Sequence, residues 1–409
     1  MAAAVGMQRR RCAVAMAVVC AAAVPARAFM GAQPHIGATL RSSVLAQARH
    51  QRPPARLHSS LKPYLEKLIA GQDLAAADTE DAWVQIMQGA APTEQVAALL
   101  CLLRAKGETS TELAGCVRGM KASCVPVHVD GALLDIVGTG GDGADTINVS
   151  TASAVLAAAA GARVCKFGNR SVSSMCGSAD VLEALGISVE LTPTQVERCC
   201  QEAGVAFMYA PTHYPAMKNV APVRKALGVR TAFNILGPMT SPAGAQHVVI
   251  GVFQDELMPL MAGALREVGY VERGVIVHGC GLDEVSPLGA SHIIELRNTA
   301  PPGEPKMYET TEYTLDPLDY GFPRCTIDDL KGGDRDENAR LFRETLAGGA
   351  RRDAKRDAVV LNAGMGLYVY GAAPTLEAAF ALARETLEAG GAARKLEEWI
   401  AASKRVCSQ

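Results

Sequence analysis

The sequence predicts an α/β protein in two parts, a small all-helical N-terminal domain followed by a larger domain with a central, mostly parallel sheet. Three observations carry this. From Leu61 to about Ser123 apolar residues recur at helical spacing with only short polar interruptions. After residue 125, apolar runs of strand length alternate with helical stretches, the order that builds a parallel sheet with helices on its faces. The first of those runs, Leu133–Val137, opens into a glycine-rich loop that feeds an alanine-rich run, Ala152–Ala160.

In chain order, residues 1–60 hold eight Arg and no Lys, Asp or Glu. Arg9–Arg11 precede the apolar run Cys12–Val24, and Ala26-Arg27-Ala28 is a small-x-small cleavage pattern, so residues 1–28 read as a signal peptide. The run is short for a membrane span, and Pro25 and Arg27 interrupt it. Residues 29–58 stay acid-free and rich in Arg, Ser and Ala, as transit peptides are. Removing this presequence leaves 32 basic against 42 acidic residues, a net charge of −10. An acidic mature chain offers no general surface for nucleic acid or anionic membrane, so any phosphate binding must be local. The ten cysteines beyond the presequence contain no CxxC pair, which argues for small apolar side chains in a reducing compartment and against zinc.

Residues 59–124 form the expected helical domain. LKPYLEKLIAG ends at Gly71, and Thr79–Met87, Pro92–Leu103 and Glu112–Met120 continue the helical pattern. Residues 125–409 form the expected α/β domain. Its expected strands are Leu133–Val137, Arg163–Lys166, Ser188–Glu190, His247–Phe253 and Gly274–His278, with helices such as Thr194–Ala203 and Leu257–Val268 between them. The Pro-rich, cationic segment Ala210–Gly228 breaks the alternation.

The chemistry concentrates after the first strand. Gly138, Gly140, Gly141 and Gly143 make a loop whose N–H groups are open to close approach. Asn148, Ser150 and Thr151 are N-cap residue types at the start of the following helix, so loop and helix terminus together form an anion site. The second strand ends at Lys166 and runs into Phe167-Gly168-Asn169-Arg170-Ser171, which adds an amide, hydroxyls and a second cation. This suits a phosphorylated substrate. Gly138-Thr-Gly140-Gly-Asp-Gly143 also matches GxGxxG. A dinucleotide fold would start the helix at the third glycine and place an acid, where this chain has Lys166, after the second strand. No GxxxxGK[ST] is present, which excludes a P-loop.

GTGGDG with NVST, KFGNRSVSSMCGSADVLEALG, and PAMKNVAPVRKALGVRTAFNILGP together resemble the anthranilate phosphoribosyltransferases, from about Leu61 to about Ile400. That family makes the second step of tryptophan biosynthesis and is related in fold to pyrimidine nucleoside phosphorylases. The resemblance implies transfer of the phosphoribosyl group of phosphoribosyl pyrophosphate to the amine of anthranilate. It implies Mg2+, two ions per site, and a homodimer through the helical domain, on which residues 210–230 would also pack. It assigns Gly138, Thr139, Gly140, Gly141, Asp142, Asn148, Ser150, Thr151, Lys166, Ser174 and Ser178 to the phosphoribosyl pyrophosphate. Gly138, Phe167, Asn169, His213, Tyr214 and Arg224 fall to anthranilate, and Ser150, Asp283 and Glu284 to metal. No side chain is assigned as acid or base, because an aniline amine needs no strong base and the barrier lies in expelling a polyanion. Read without the resemblance, Asp283-Glu284 is a solvated turn and Arg224 a helix-surface arginine. One departure stands out: relatives show KHGNR where this chain has Lys166-Phe167-Gly168-Asn169-Arg170.

A type I phosphoribosyltransferase would end its strand in paired acids before a TTG-like loop, which Asp135-Ile-Val-Gly does not provide. A pyrimidine nucleoside phosphorylase would use inorganic phosphate and lack the Asp-Glu pair. A non-catalytic paralogue would have no reason to keep all these residues. The signal-plus-transit presequence, with Phe29 just after the first cut, resembles those of algae with secondary plastids, and a plastid supplies phosphoribosyl pyrophosphate. Mitochondrial or secreted destinations are the alternatives.

Overall fold

The computed structural model describes residues 60–171 and 175–408. The presequence readings and Ser174 therefore lie outside the described residues. Helices α1 (Lys62–Ile69), α2 (Ala76–Met87), α3 (Thr93–Lys106) and α4 (Ser110–Lys121) make the N-terminal bundle. Thr109 starts α4 with a capping box: its hydroxyl accepts the Glu112 N–H at 3.2 Å, and the Glu112 carboxylate accepts the Thr109 N–H at 2.8 Å. Gly115 and Gly119, one turn apart on α4, let it lie against α2. A Cβ on Gly115 would fall 1.9 Å from Thr79 Oγ1, and one on Gly119 would fall 2.5 Å from Trp83 Cβ.

Seven strands form one sheet in the order β3-β2-β1-β4-β5-β6-β7. They are β1 (Leu134–Gly138), β2 (Val164–Gly168), β3 (Val205–Tyr209), β4 (His247–Gly251), β5 (Arg273–His278), β6 (Ser291–Asn298) and β7 (Tyr308–Leu315). The first five in that order are parallel, and β6 and β7 add antiparallel pairs. The expected strand at Ser188–Glu190 is not one. It is an extended link after the left-handed cap Gly186, and its Ser188 N–H donates to Ser403 Oγ at 3.2 Å. The strand in question is Val205–Tyr209, five buried residues without alternation, as a strand covered on both faces must be.

Helices α5 (Val149–Ala159), α6 (Ser178–Leu185), α7 (Pro193–Ala203), α8 (Ala221–Leu227), α9 (Leu257–Val268), α10 (Arg335–Leu346), α11 (Ala354–Tyr370), α12 (Leu376–Glu388) and α13 (Gly391–Cys407) complete the chain with a few one-turn pieces. Most of α5 is buried, so its alanines serve close packing between the sheet and the C-terminal helices. Residues 210–236 leave the sheet and pack on the bundle. Asn219 Nδ2 donates to the Met87 carbonyl at 2.7 Å, and the Trp83 and Phe233 rings lie 5.2 Å apart. No helix of the described residues is long and apolar enough to cross a membrane.

Strand order reverses at β1, with β2 on one side and β4 on the other. In parallel sheets the crevice beyond the strand ends at such a reversal is where ligands bind.

Candidate active site

A cleft of about 990 Å³ opens at that reversal, between the C-terminal ends of β1, β2 and β4 and the returning segment 210–240. Of the expected residues it brings together Gly138, Thr139, Gly140, Gly141, Asp142, Asn148, Ser150, Lys166, Phe167, Asn169, Ser178, Tyr214, Arg224, Asp283 and Glu284. Two expected residues face elsewhere. Thr151 is fully buried, its hydroxyl bonded to Ser178 Oγ at 3.0 Å. It follows Ser150 by about 100° around the helix, so the two cannot share a face. His213 is also fully buried, with Nδ1 on the Val125 carbonyl at 3.0 Å.

The glycine loop is fixed at both ends and open in the middle. The Thr139 N–H donates to the Gly251 carbonyl, and the Thr139 hydroxyl accepts the Phe253 N–H at 3.3 Å. At its far end the loop is pinned by residues 330–332: the Ile147 N–H donates to the Leu330 carbonyl at 3.0 Å and the Gly332 N–H to the Asp145 carbonyl at 2.9 Å. Gly140, Gly141 and Gly143 have φ of 66°, 81° and 72°, which other residues adopt only at a cost. Among the described residues the N–H groups of Gly141, Asp142 and Gly143 have no protein acceptor. Asn148 does not cap α5 with its side chain. Its amide links Cys176 and Asn338 instead, which leaves the helix terminus to other groups.

Those groups are the acidic pair. The turn after β5 carries Asp283 and Glu284 onto the ends of β1 and β4. A Cβ on Gly138 would fall 2.2 Å from Asp283 Oδ2, and one on its partner Gly251 would fall 1.5 Å from the Asp283 carbonyl oxygen. Only glycine on both strands admits this turn. Asp283 Oδ2 accepts the Gly140 N–H at 2.6 Å, and the Ser150 N–H at the α5 terminus favours the charged form of Glu284. Asn362 of α11 locks the turn from behind, accepting the Val285 N–H at 2.9 Å and donating to its carbonyl at 2.8 Å. Burial and the nearby Asp142 carboxylate push Asp283 up to about 7. Burial and the other two acids push Glu284 well above the usual carboxylate range. Carboxylates crowded in this way favour a cation among them. Among the described residues no closed set of His, Cys, Asp or Glu ligands exists. Mg2+ needs none, since it keeps several waters and takes one or two carboxylates plus phosphate oxygens.

Lys166 and Asp135 hold the strands apart beneath the loop. With Leu134 opposite Val164, a parallel ladder would have the Phe167 N–H donate to the Ile136 carbonyl. Instead Lys166 Nζ donates to that carbonyl at 2.6 Å, and the Phe167 N–H goes to Asp135 Oδ1 at 3.2 Å. Both side chains are 1% exposed. Burial pushes Asp135 up to about 7 against the pull of Lys166, and pushes Lys166 down against Asp135, Glu284 and Asp283. Lys166 Nζ also lies 3.2 Å from Ser150 Oγ, so it supports the cleft floor from below. The second cation of that region, Arg170, is not available to a ligand. It pairs with both oxygens of Glu183 at 2.6 Å and reaches Asp180 and the Tyr209 hydroxyl. Asn169 stays exposed at the rim, its Oδ1 accepting the Arg170 N–H at 2.8 Å.

The opposite wall is aromatic and cationic. The Phe167 and Tyr214 rings lie 5.7 Å apart, and the Tyr214 hydroxyl donates to the Thr240 carbonyl at 2.6 Å. The Arg224 guanidinium sits 5.5 Å from the Phe233 ring centre, and burial alone, with no acid to offset it, lowers its pKa. Sequence reasoning missed Asp135 and Arg230. Asp135 was visible as a lone carboxylate in an apolar strand. Arg230, six residues beyond Arg224, also lines the cleft.

The comparisons agree over both domains. Residues 62–124 match the glycosyl transferase family's helical bundle domain, and residues 130–393 match its a/b domain. The chain is 44% identical to an anthranilate phosphoribosyltransferase of Rubrobacter xylanophilus over 350 residues, covering 85% of this chain and 99% of the relative. It is 45% identical to one of Methanosarcina acetivorans, covering 81% and 86%. The Thermus thermophilus enzyme superposes with a TM-score of 0.76 at 42% identity, covering 83% of this chain and 99% of that one. The Saccharomyces cerevisiae enzyme, solved in complex with PRPP and Mg, gives 0.75 at 26% identity, covering 84% and 98%.

Proposed function

The chain belongs to the anthranilate phosphoribosyltransferases, and we infer that its cleft joins the amine of anthranilate to C1 of phosphoribosyl pyrophosphate with release of pyrophosphate. This is the second step of tryptophan biosynthesis from chorismate. One arrangement carries the reading at residue level: an open glycine loop beside the Asp283-Glu284 turn, with Arg224, which has no carboxylate partner among the described residues, lining the same cleft. The first pair of features suits a polyphosphate, and the arginine suits the carboxylate of a small aromatic acid.

The free N–H groups of residues 141–143 and the Ser178 hydroxyl take the phosphate oxygens. Thr139 and Asn148 keep the loop and the helix start in register, and Lys166 adds positive charge through the cleft floor. Asp283 and Glu284, with Ser150 at the helix start, would hold Mg2+, two ions with substrate bound; when present it neutralises charge building on the pyrophosphate. Gly138, Asn169, Phe167 and Tyr214 bound the space for the anthranilate ring, and Arg224 orients it by its carboxylate. No acid or base is needed, and catalysis comes from positioning and electrostatic stabilisation. The protein should release one pyrophosphate per anthranilate consumed. Phosphorolysis of a pyrimidine nucleoside with inorganic phosphate, and no anthranilate consumption, would replace this reading.

Arg224→Ala raises the anthranilate KM by roughly 10- to 150-fold, the worth of a hydrogen bond to a charged group, with a much smaller change for the ribosyl donor. Equal loss for both substrates would make Arg224 a phosphate ligand or a structural residue.

At Phe167 an aromatic ring replaces the relatives' histidine. Its ring already pairs with Tyr214, and stacking of this kind contributes about 0.5–1.5 kcal/mol. Phe167→His changes kcat/KM for anthranilate by less than about tenfold, and Phe167→Ala costs more because the wall is lost. An inactive wild type restored by Phe167→His would instead assign this position a general base.

Two further readings complete the proposal. Residues 1–58 direct the chain to a secondary plastid, on the acid-free, two-part composition of that stretch; N-terminal sequencing of the native protein that begins at Met1 would remove this. The helical bundle carries a homodimer contact, to which the exposed Ile69 on α1 is suited. A monomer mass by light scattering would count against it.

A further inference from the structure

We propose that Arg230 is a catalytic residue of this reaction, moving from the Gly141 carbonyl onto the pyrophosphate as it departs. This rests on the glycine loop being the site of the ribosyl donor.

Arg230 is exposed, yet it is held. Its Nη2 donates to the Gly141 carbonyl, and its guanidinium carbon stands 4.0 Å over the centre of the Phe253 ring. Phe253 is tied to the same loop through Thr139. A Cβ on Gly141 would fall 3.0 Å from Arg230 Nη2, so the loop and the guanidinium are in contact at the point where Gly141 turns left-handed. Arg230 thus reaches from the segment that packs on the helical bundle to the middle of the loop.

Its resting partner is a weak one. A carbonyl leaves the charge uncompensated, and four of the five guanidinium N–H groups remain for a better acceptor. Arg230 pairs with no carboxylate among the described residues. The adjacent Asp142 is turned to the Ala144 N–H at 3.2 Å and to Asp283. Two other cations near the loop are committed elsewhere: Lys166 is fixed below the floor, and Arg170 is bound to Glu183. The N–H groups of residues 141–143 mark where phosphate oxygens would lie, next to Arg230. A planar fork gains more from two phosphate oxygens than from one carbonyl.

In the transfer the amine lone pair forms the C1–N bond, and the C1–O electron pair leaves on the pyrophosphate. The surplus proton on nitrogen passes to water. Arg230 exchanges no proton; it stabilises charge that grows as the C1–O bond breaks.

The test is steady-state kinetics of wild type, Arg230→Gln and Arg230→Lys, with pyrophosphate as product inhibitor and melting temperature as control. In Arg230→Gln the pyrophosphate inhibition constant rises, and kcat/KM for the donor falls, each by roughly 10- to 150-fold. The anthranilate KM stays within about threefold, and Arg230→Lys, which keeps charge without the fork, is intermediate. An unchanged inhibition constant in Arg230→Gln overturns the proposal and leaves Arg230 as a brace on Gly141. Should Arg230→Gln melt early, an unchanged constant in Arg230→Lys overturns it equally. Failure of the underlying reading looks different, because then wild type itself neither consumes anthranilate with the donor nor responds to pyrophosphate.

Discussion

Replacing Asp283 and Glu284 together by Asn and Gln lowers kcat by a factor on the order of 10² to 10⁴, with the fold intact. Each carboxylate is worth roughly 1.5–3 kcal/mol as a charged hydrogen-bonding partner, and both act on the same leaving group. The amides are near-isosteric, and the amide carbonyl at position 283 can still accept the Gly140 N–H that Asp283 accepts now. Melting temperature should therefore stay level or rise, since two crowded buried acids are removed. Millimolar Mg2+ should partly restore turnover, because the neutral site binds the ion more weakly without losing its shape. Full activity at low Mg2+ would make the pair a turn without a role in the chemistry.

Gly251→Ala should be nearly as damaging, although Gly251 carries no functional group. Its added Cβ would lie 1.5 Å from the Asp283 carbonyl oxygen and 2.2 Å from its carbon, both backbone atoms that cannot swing aside. The acidic turn must shift by more than an ångström, and a displacement of that size can cost about 10²-fold in rate. Overpacking also lowers stability by about 1–3 kcal/mol. Gly140→Ala separates this effect from backbone strain. Its φ is 66°, but nothing lies within 4 Å of the added atom. That variant should lose only the roughly 1–2 kcal/mol of a left-handed non-glycine residue. If Gly251→Ala retained wild-type kcat and Mg2+ dependence, the turn would not be seated on the strand ends as described.

What the sequence made legible follows from how local each signal is. Gly138 to Asn148 could be read directly, because glycines, an N-cap residue type and an alanine run are consecutive and each dictates its own geometry. The Asp283-Glu284 pair is far away in sequence, and only the resemblance tied it to the loop. Its structural signature, a glycine at the end of each of two paired strands, needs the register of β1 and β4 to be known. Thr151 and His213 are buried off the cleft lining, and residue type says nothing of which side of a helix or turn faces it. Arg170 reads as a free cation in sequence because Glu183, its partner, lies thirteen residues on, in the helix that follows the loop. Asp135 and Lys166 were both in view, but their service in place of a ladder hydrogen bond appears only once the two strands are side by side. Val205–Tyr209 goes unmarked in the sequence because, as a run buried on both faces, it shows no alternation that separates it from a helical stretch.

The most direct test of the whole account follows anthranilate fluorescence with the purified protein as phosphoribosyl pyrophosphate and Mg2+ are added separately and together. Fluorescence falls only when both are present, with pyrophosphate appearing in equal amount. Loss of anthranilate without the ribosyl donor, or none with both present, would contradict it.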